Sequence, residues 1–176
     1  MSIEIKKVYK QFIPQTRFIG KKYGDSDRID GGFGFAWQQW LEQNWFDDII
    51  KAAGGQDIVN NLYEDGDACL GLMRYKEGEP FEYWIGLFTP TNTTVPDSFE
   101  FIDFEQSYCG ISWYYGQEPE IYGKEELAMN KLEENGMSMI ADKQGAYWFF
   151  ERYSPSRFHQ KDEHSCVTLD IGFFVQ

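Results

Sequence analysis

The sequence predicts an α+β domain built from two strand-helix-strand-strand modules in a pseudo-twofold arrangement, with antiparallel sheets and a ligand groove between the modules. Three observations predict it. The same order of elements runs twice along the 176 residues, the strand runs read as antiparallel strands packed on one side by a helix, and no low-complexity linker interrupts them. A chain of this length buries a substantial core as one domain, so residues 1–176 are read as a single domain with modules at about 1–90 and 99–176.

The first module opens with "KKVYKQFIPQTRFIGKKYG", two extended stretches on either side of Pro14. In "GGFGFAWQQWLEQNWFDDII" the residues Phe33, Trp37, Trp40, Leu41 and Asn44 recur at helical spacing, which predicts an amphipathic helix with an aromatic face. Two strands follow, over 68–75 and 81–88, joined by the turn-prone Lys76-Glu77-Gly78-Glu79. The second module repeats the order. After the extended "SFEFIDFE" comes the strand "SYCGISWYY", then a helix opened by Pro119, with Ile121, Glu125, Ala128 and Leu132 on one side and Gly136 as its stop. Strands over 146–153 and in "CVTLDIGFFV" complete it, the last turning Val167, Leu169, Ile171, Phe173 and Val175 inward.

Sixteen basic against twenty-nine acidic residues leave a net charge of −13, which argues against direct nucleic-acid binding and against anionic membrane surfaces. No apolar run approaches the ~20 residues of a membrane helix, and "MSIEIKKVYKQF" has no signal-peptide core, so a cytoplasmic protein is expected. Cys69, Cys109 and Cys166 are odd in number and widely spaced, as reduced buried thiols are. His159 and His164 in "FHQKDEHSC" match no metal motif, no serine sits in a nucleophile elbow, and "DGGFGF" completes no phosphate-binding fingerprint. No metal and no cofactor is expected, and the oligomeric state is left open.

The residue that calls for a function is in "YWFFERY". On a pleated strand Tyr147, Phe149, Glu151 and Tyr153 share one face, so a carboxylate looks into aromatic company. Burying it costs several kcal/mol unless something pairs with it. Either a neighbouring Arg, Lys or tyrosine satisfies Glu151, or the aromatic faces and the carboxylate together hold a flat cationic ligand. Desolvation would also raise its pKa and suit it to general-base work. Tyr147 and Tyr153 are the hydrogen-bonding candidates; Trp113 and Tyr115, which share a face on a strand expected nearby, are candidate cage walls, with Trp37 and Trp84 as further aromatic candidates.

The passage "VPDSFEFIDFEQSYCGISWYYG", the helix after it, "YWFFERY" and the final apolar strand resemble the second half of GyrI-like effector-binding proteins. That family's glutamate, followed two residues later by tyrosine in the penultimate strand, falls on Glu151 and Tyr153. The resemblance implies paired modules with a pocket between them, in which Glu151 faces hydrophobic, often cationic, aromatic ligands. Glu118 stands where many members carry a tyrosine. One stand-alone branch hydrolyses cyclopropane-bearing DNA-alkylating compounds in an aromatic cage, which implies Glu151 as general base and Tyr153 beside it. The resemblance carries two other roles: a ligand-sensing module acting with a separate transcription regulator, and an acidic inhibitor of DNA gyrase.

Overall fold

The computed structural model describes residues 2–176. Its strands are β1 (Glu4–Ile13), β2 (Thr16–Tyr23), β3 (Cys69–Tyr75), β4 (Glu82–Pro90), β5 (Glu100–Phe104), β6 (Ser107–Gly116), β7 (Tyr147–Tyr153) and β8 (Val167–Val175). They join in one antiparallel sheet in the order β1-β6-β8-β7-β3-β4-β2-β5. Exchanging β1 with β5, β2 with β6, β3 with β7 and β4 with β8 reverses this order onto itself. The pseudo-twofold therefore passes through the β3–β7 seam, where Leu72 pairs with Phe150. Each module's leading strand crosses to the other module: β1 pairs with β6, and β5 pairs with β2.

The helices are α1 (Gly34–Glu42), α2 (Trp45–Ala52), α3 (Gln56–Asn60) and α4 (Glu125–Glu134). The continuous aromatic helix expected in the first module is two helices, because Asn44 adopts φ 54, a left-handed conformation that ends α1 and that Asn tolerates better than most residues. Trp40 is buried on the inner side, but Leu41, expected on the same face, is 67% exposed. The second helix begins at Glu125 rather than Pro119. Residues 119–122 close a turn, with Tyr122 N–H donating to Pro119 O at 3.2 Å, and Gly123 at φ 68 interrupts the chain before the first helical residue.

Both helical layers cover the same face of the sheet. Trp40, Phe46 and Ile49 pack on Tyr83, Ile85 and Leu87 over the first module; Ala128 and Leu132 pack on Tyr114, Leu169 and Ile171 over the second. The other face rolls inward until the edge strand β5 meets the middle of the sheet, where Phe104 stacks on Phe174 with centroids 5.1 Å apart and meets Trp148 edge-on at 5.3 Å. Inside that roll Leu70, Leu72, Phe88, Ile111 and Phe150 form a core, each side chain contributing about 1.5–3 kcal/mol by its burial.

Candidate functional site

Glu151 lies on the helix-covered face, beside the seam and between the two helical layers. Its Cα partners are Gly71 on β3 and Ile171 on β8. The carboxylate is 7% exposed. Tyr153 Oη donates to Oε2 at 2.7 Å and Tyr83 Oη donates to the same oxygen at 3.1 Å. Gly71 makes the second bond possible. Tyr83 stands opposite Met73, so its ring reaches Glu151 diagonally across position 71, where a Cβ would meet Tyr83 Oη at 2.4 Å and Glu151 Oε2 at 3.2 Å.

Aromatic side chains close around this trio. Trp37 Nε1 donates to Tyr83 Oη at 2.9 Å, and the Trp37 ring meets Tyr153 edge-on at 4.8 Å. Phe33 stacks face to face on Tyr83 at 4.2 Å, and Phe158 meets the edge of Tyr153 at 4.7 Å. Phe149, two residues before Glu151 on the same face, stacks on Phe173 and packs against both helical layers.

Burial pushes the Glu151 carboxyl up to about 7 from an ordinary value of 4.5; the negative charge of Glu125 adds to the rise, while the bonds from Tyr153 and Tyr83 oppose it. Burial, reinforced by the nearby carboxylate, holds both tyrosine hydroxyls well above their usual range, so they remain protonated donors at neutral pH. The arrangement can hold a positive charge against Glu151, and it can exchange a proton near pH 7.

The sequence-predicted residues separate into two groups. Glu151, Tyr153 and Trp37 come together, with Phe149 alongside. Tyr147 is on the same face but at the far end of β7, opposite Tyr75 and 42% exposed. Trp84, Trp113 and Tyr115 are on the reverse face, which corrects their placement as cage residues. Register is the reason: Ile171 stands beside both Glu151 and Ser112, whereas Asp170 stands beside Arg152 and Trp113. Trp84 likewise pairs with Leu72 in the rolled core. Tyr83, Phe33 and Gly71 were not anticipated, although the pairing of Met73 with Tyr83 across the expected hairpin turn would have carried Tyr83 to this face.

The reverse face shows how this protein treats buried charge elsewhere. Arg152, fully buried, donates through Nε to Asp170 at 2.8 Å and through Nη1 to Gln11 at 2.7 Å, and its Nη2 is 3.0 Å from Asp65. Arg157 Nη2 donates to Asp65 at 2.9 Å and its Nε to Asp170 at 3.0 Å. Two cations thus face two carboxylates. Among the described residues no lysine, arginine or histidine pairs with Glu151, whose only donors there are tyrosines.

No protein-family model matches the chain, and no curated protein matches it. Solved structures do. A structure of SAV2435 bound to tetraphenylphosphonium superposes with a TM-score of 0.63 at 17% identity, covering 97% of this chain and 94% of that one. A protein from Staphylococcus aureus MU50 described as a putative bacterial transcription regulation protein gives 0.58 at 15% identity, over 97% and 98% of the two chains. EcmrR, in a DNA complex solved by cryo-electron microscopy, gives 0.57 at 14% identity, over 97% of this chain and 57% of that one. At these identities the likeness is one of fold.

Proposed function

We propose that the protein binds hydrophobic aromatic cations against Glu151 and the aromatic rings around it, as a GyrI-like effector-binding module does. One observation carries this reading: the protein neutralises its other deeply buried charges internally, yet leaves Glu151 among aromatic rings with no cation from the described residues. A ligand cation would complete the pairing, gaining about 1–2 kcal/mol over the rings in addition to its attraction to the carboxylate. The fold neighbour bound to tetraphenylphosphonium, a cation wrapped in aromatic rings, supports the same ligand class. The likeness to a putative transcription regulation protein and to EcmrR, a protein solved in complex with DNA, supports a sensing role alongside a transcription regulator.

A second reading is favoured by a carboxyl poised near neutrality: Glu151 serves as general base for water attacking a strained ring, with Tyr153 and Tyr83 as proton donors, which would make the protein protective against cyclopropane-bearing alkylating compounds. Titration of the protein with tetraphenylphosphonium, followed by tryptophan fluorescence, tests the first reading. Saturable quenching through Trp37, weakened about tenfold or more in Glu151→Gln, is the expected result; equal binding by both proteins would overturn it. Ring-opened product detected by mass spectrometry, and lost in the same variant, would add hydrolysis to binding.

A further inference from the structure

Glu151 uses only one of its two oxygens within the protein. Tyr153 Oη at 2.7 Å and Tyr83 Oη at 3.1 Å both donate to Oε2, and among the described residues no N–H or O–H donates to Oε1. The buried carboxylates of the reverse face are treated differently. Asp170 accepts at Oδ1 from Arg157 and at Oδ2 from Arg152, and Asp65 accepts at Oδ1 from Arg157 and at Oδ2 from Gln11, so each of their oxygens has a donor. On a side chain only 7% exposed, a carboxylate oxygen with no protein donor is an exception that calls for a partner.

Two features suit Oε1 to recognition. It is not sealed inside the protein as the unpartnered Ser112 Oγ and Trp84 Nε1 are, so the residual exposure of Glu151 includes this atom. Its direction is also fixed. Tyr153 holds Oε2 from the same strand, and Tyr83 holds it while itself bonded by Trp37 Nε1 at 2.9 Å and stacked on Phe33 at 4.2 Å. With Oε2 taken by two donors, the lone pairs of Oε1 are left for a donor from outside.

Resting on the reading of Glu151 as the anchor of a cation site, we propose that the site selects aromatic cations that carry an N–H, protonated amines and amidiniums, whose N–H donates to Oε1. A quaternary ammonium or phosphonium centre can approach the carboxylate but has no hydrogen to give, so it strips solvent from Oε1 and leaves the oxygen unpaired. An N–H cation offsets that loss with a charge-assisted hydrogen bond to an acceptor already oriented. This order of preference is the reverse of that of a purely aromatic cage, whose characteristic ligand is the quaternary ion.

Calorimetric titration of the full chain at about pH 8, where the Glu151 carboxyl is ionised, compares biphenylmethylammonium with its trimethylammonium counterpart, probes with the same rings and the same charge. The primary ammonium should bind about tenfold more tightly or better. In Glu151→Gln the side-chain carbonyl takes the tyrosine O–H groups, which turns the amide NH2 to the place of Oε1; a donor then meets a donor, and the primary ammonium should lose its margin. Loss of charge alone would weaken both probes equally, so a margin that survives in Glu151→Gln overturns the assignment to Oε1. Equal affinity of the wild type for the two probes, tighter binding of the trimethyl form, or binding of tetraphenylphosphonium when neither ammonium binds overturns the N–H inference and leaves the cation site standing. Failure of every probe overturns the cation site itself.

Discussion

At the scale of single residues, Glu151 makes the protein's stability depend on pH in a defined direction. Its folded carboxyl titrates near 7 and an unfolded one near 4.5, so the native state holds the proton more tightly. The sign follows: this stabilisation is full below about 4.5 and is lost as pH rises through about 7, amounting to roughly 3 kcal/mol. Glu151→Gln cannot ionise. Thermal melts of the two proteins should therefore nearly coincide at about pH 4 and diverge by about pH 8, where the variant is the more stable. Parallel stability profiles across that range would contradict the burial of an ionisable, cation-free carboxyl. The same titration makes cation binding strengthen as pH rises through 7, opposite in sign to the stability change. Glu151 and Tyr153 were legible because strand parity is local, a property of residues two apart. Tyr83 was not, because its approach depends on the register between β3 and β4 and on the absence of a side chain at Gly71.

At the scale of elements, the buried charges of the reverse face tie strands that are distant in sequence. Arg152 on β7 reaches Gln11 on β1, Asp170 on β8 and Asp65 ahead of β3. Arg152→Met would leave both carboxylates buried with Arg157 as their sole cation, at a cost of about 3–5 kcal/mol. Arg157→Met should cost less, since Arg157 is partly exposed and its removal leaves Arg152 bonded to both acids. Urea unfolding of the two variants measures the difference, and equal losses would show that the network is not centred on Arg152. The elements themselves were legible where hydrophobic period decides them, as in β7 and β8. They were less so where one residue's backbone conformation intervenes: left-handed Asn44 splits the aromatic helix, and Gly123 delays α4. Neither break changes the apolar spacing that the sequence displays. Arg152, adjacent to the residue that drew attention, carries its own partners from three other segments, and no local pattern announces such pairing.

At the scale of the whole molecule, the exchange of leading strands makes the two modules interdependent. The doubled order of elements was visible in the sequence, but which strands pair across the chain was not, because the β1–β6 and β2–β5 pairings join residues separated by about a whole module or more. Cut between β4 and β5, the first half retains only β3, β4 and β2 as a sheet, with β1 unpaired and both β2 and β3 open to solvent along their outer edges. The second half retains β6, β8 and β7, with β5 unpaired. Three strands with two bare edges and one exposed apolar face are poorly stable and prone to association. The halves 1–90 and 91–176, expressed separately, should therefore show no cooperative unfolding by circular dichroism. Mixed, they should recover a single transition as β1, β5 and the β3–β7 seam find their partners. Quenching of tryptophan fluorescence by tetraphenylphosphonium should return only in the mixture, because Trp37 and Tyr83 come from one half and Glu151 and Tyr153 from the other. A half that folds cooperatively alone would show that strand exchange decorates two independent modules. Recovery confined to the mixture would mean that the fold and the site around Glu151 form in one step, since the seam that closes the sheet also brings Tyr83 to Glu151.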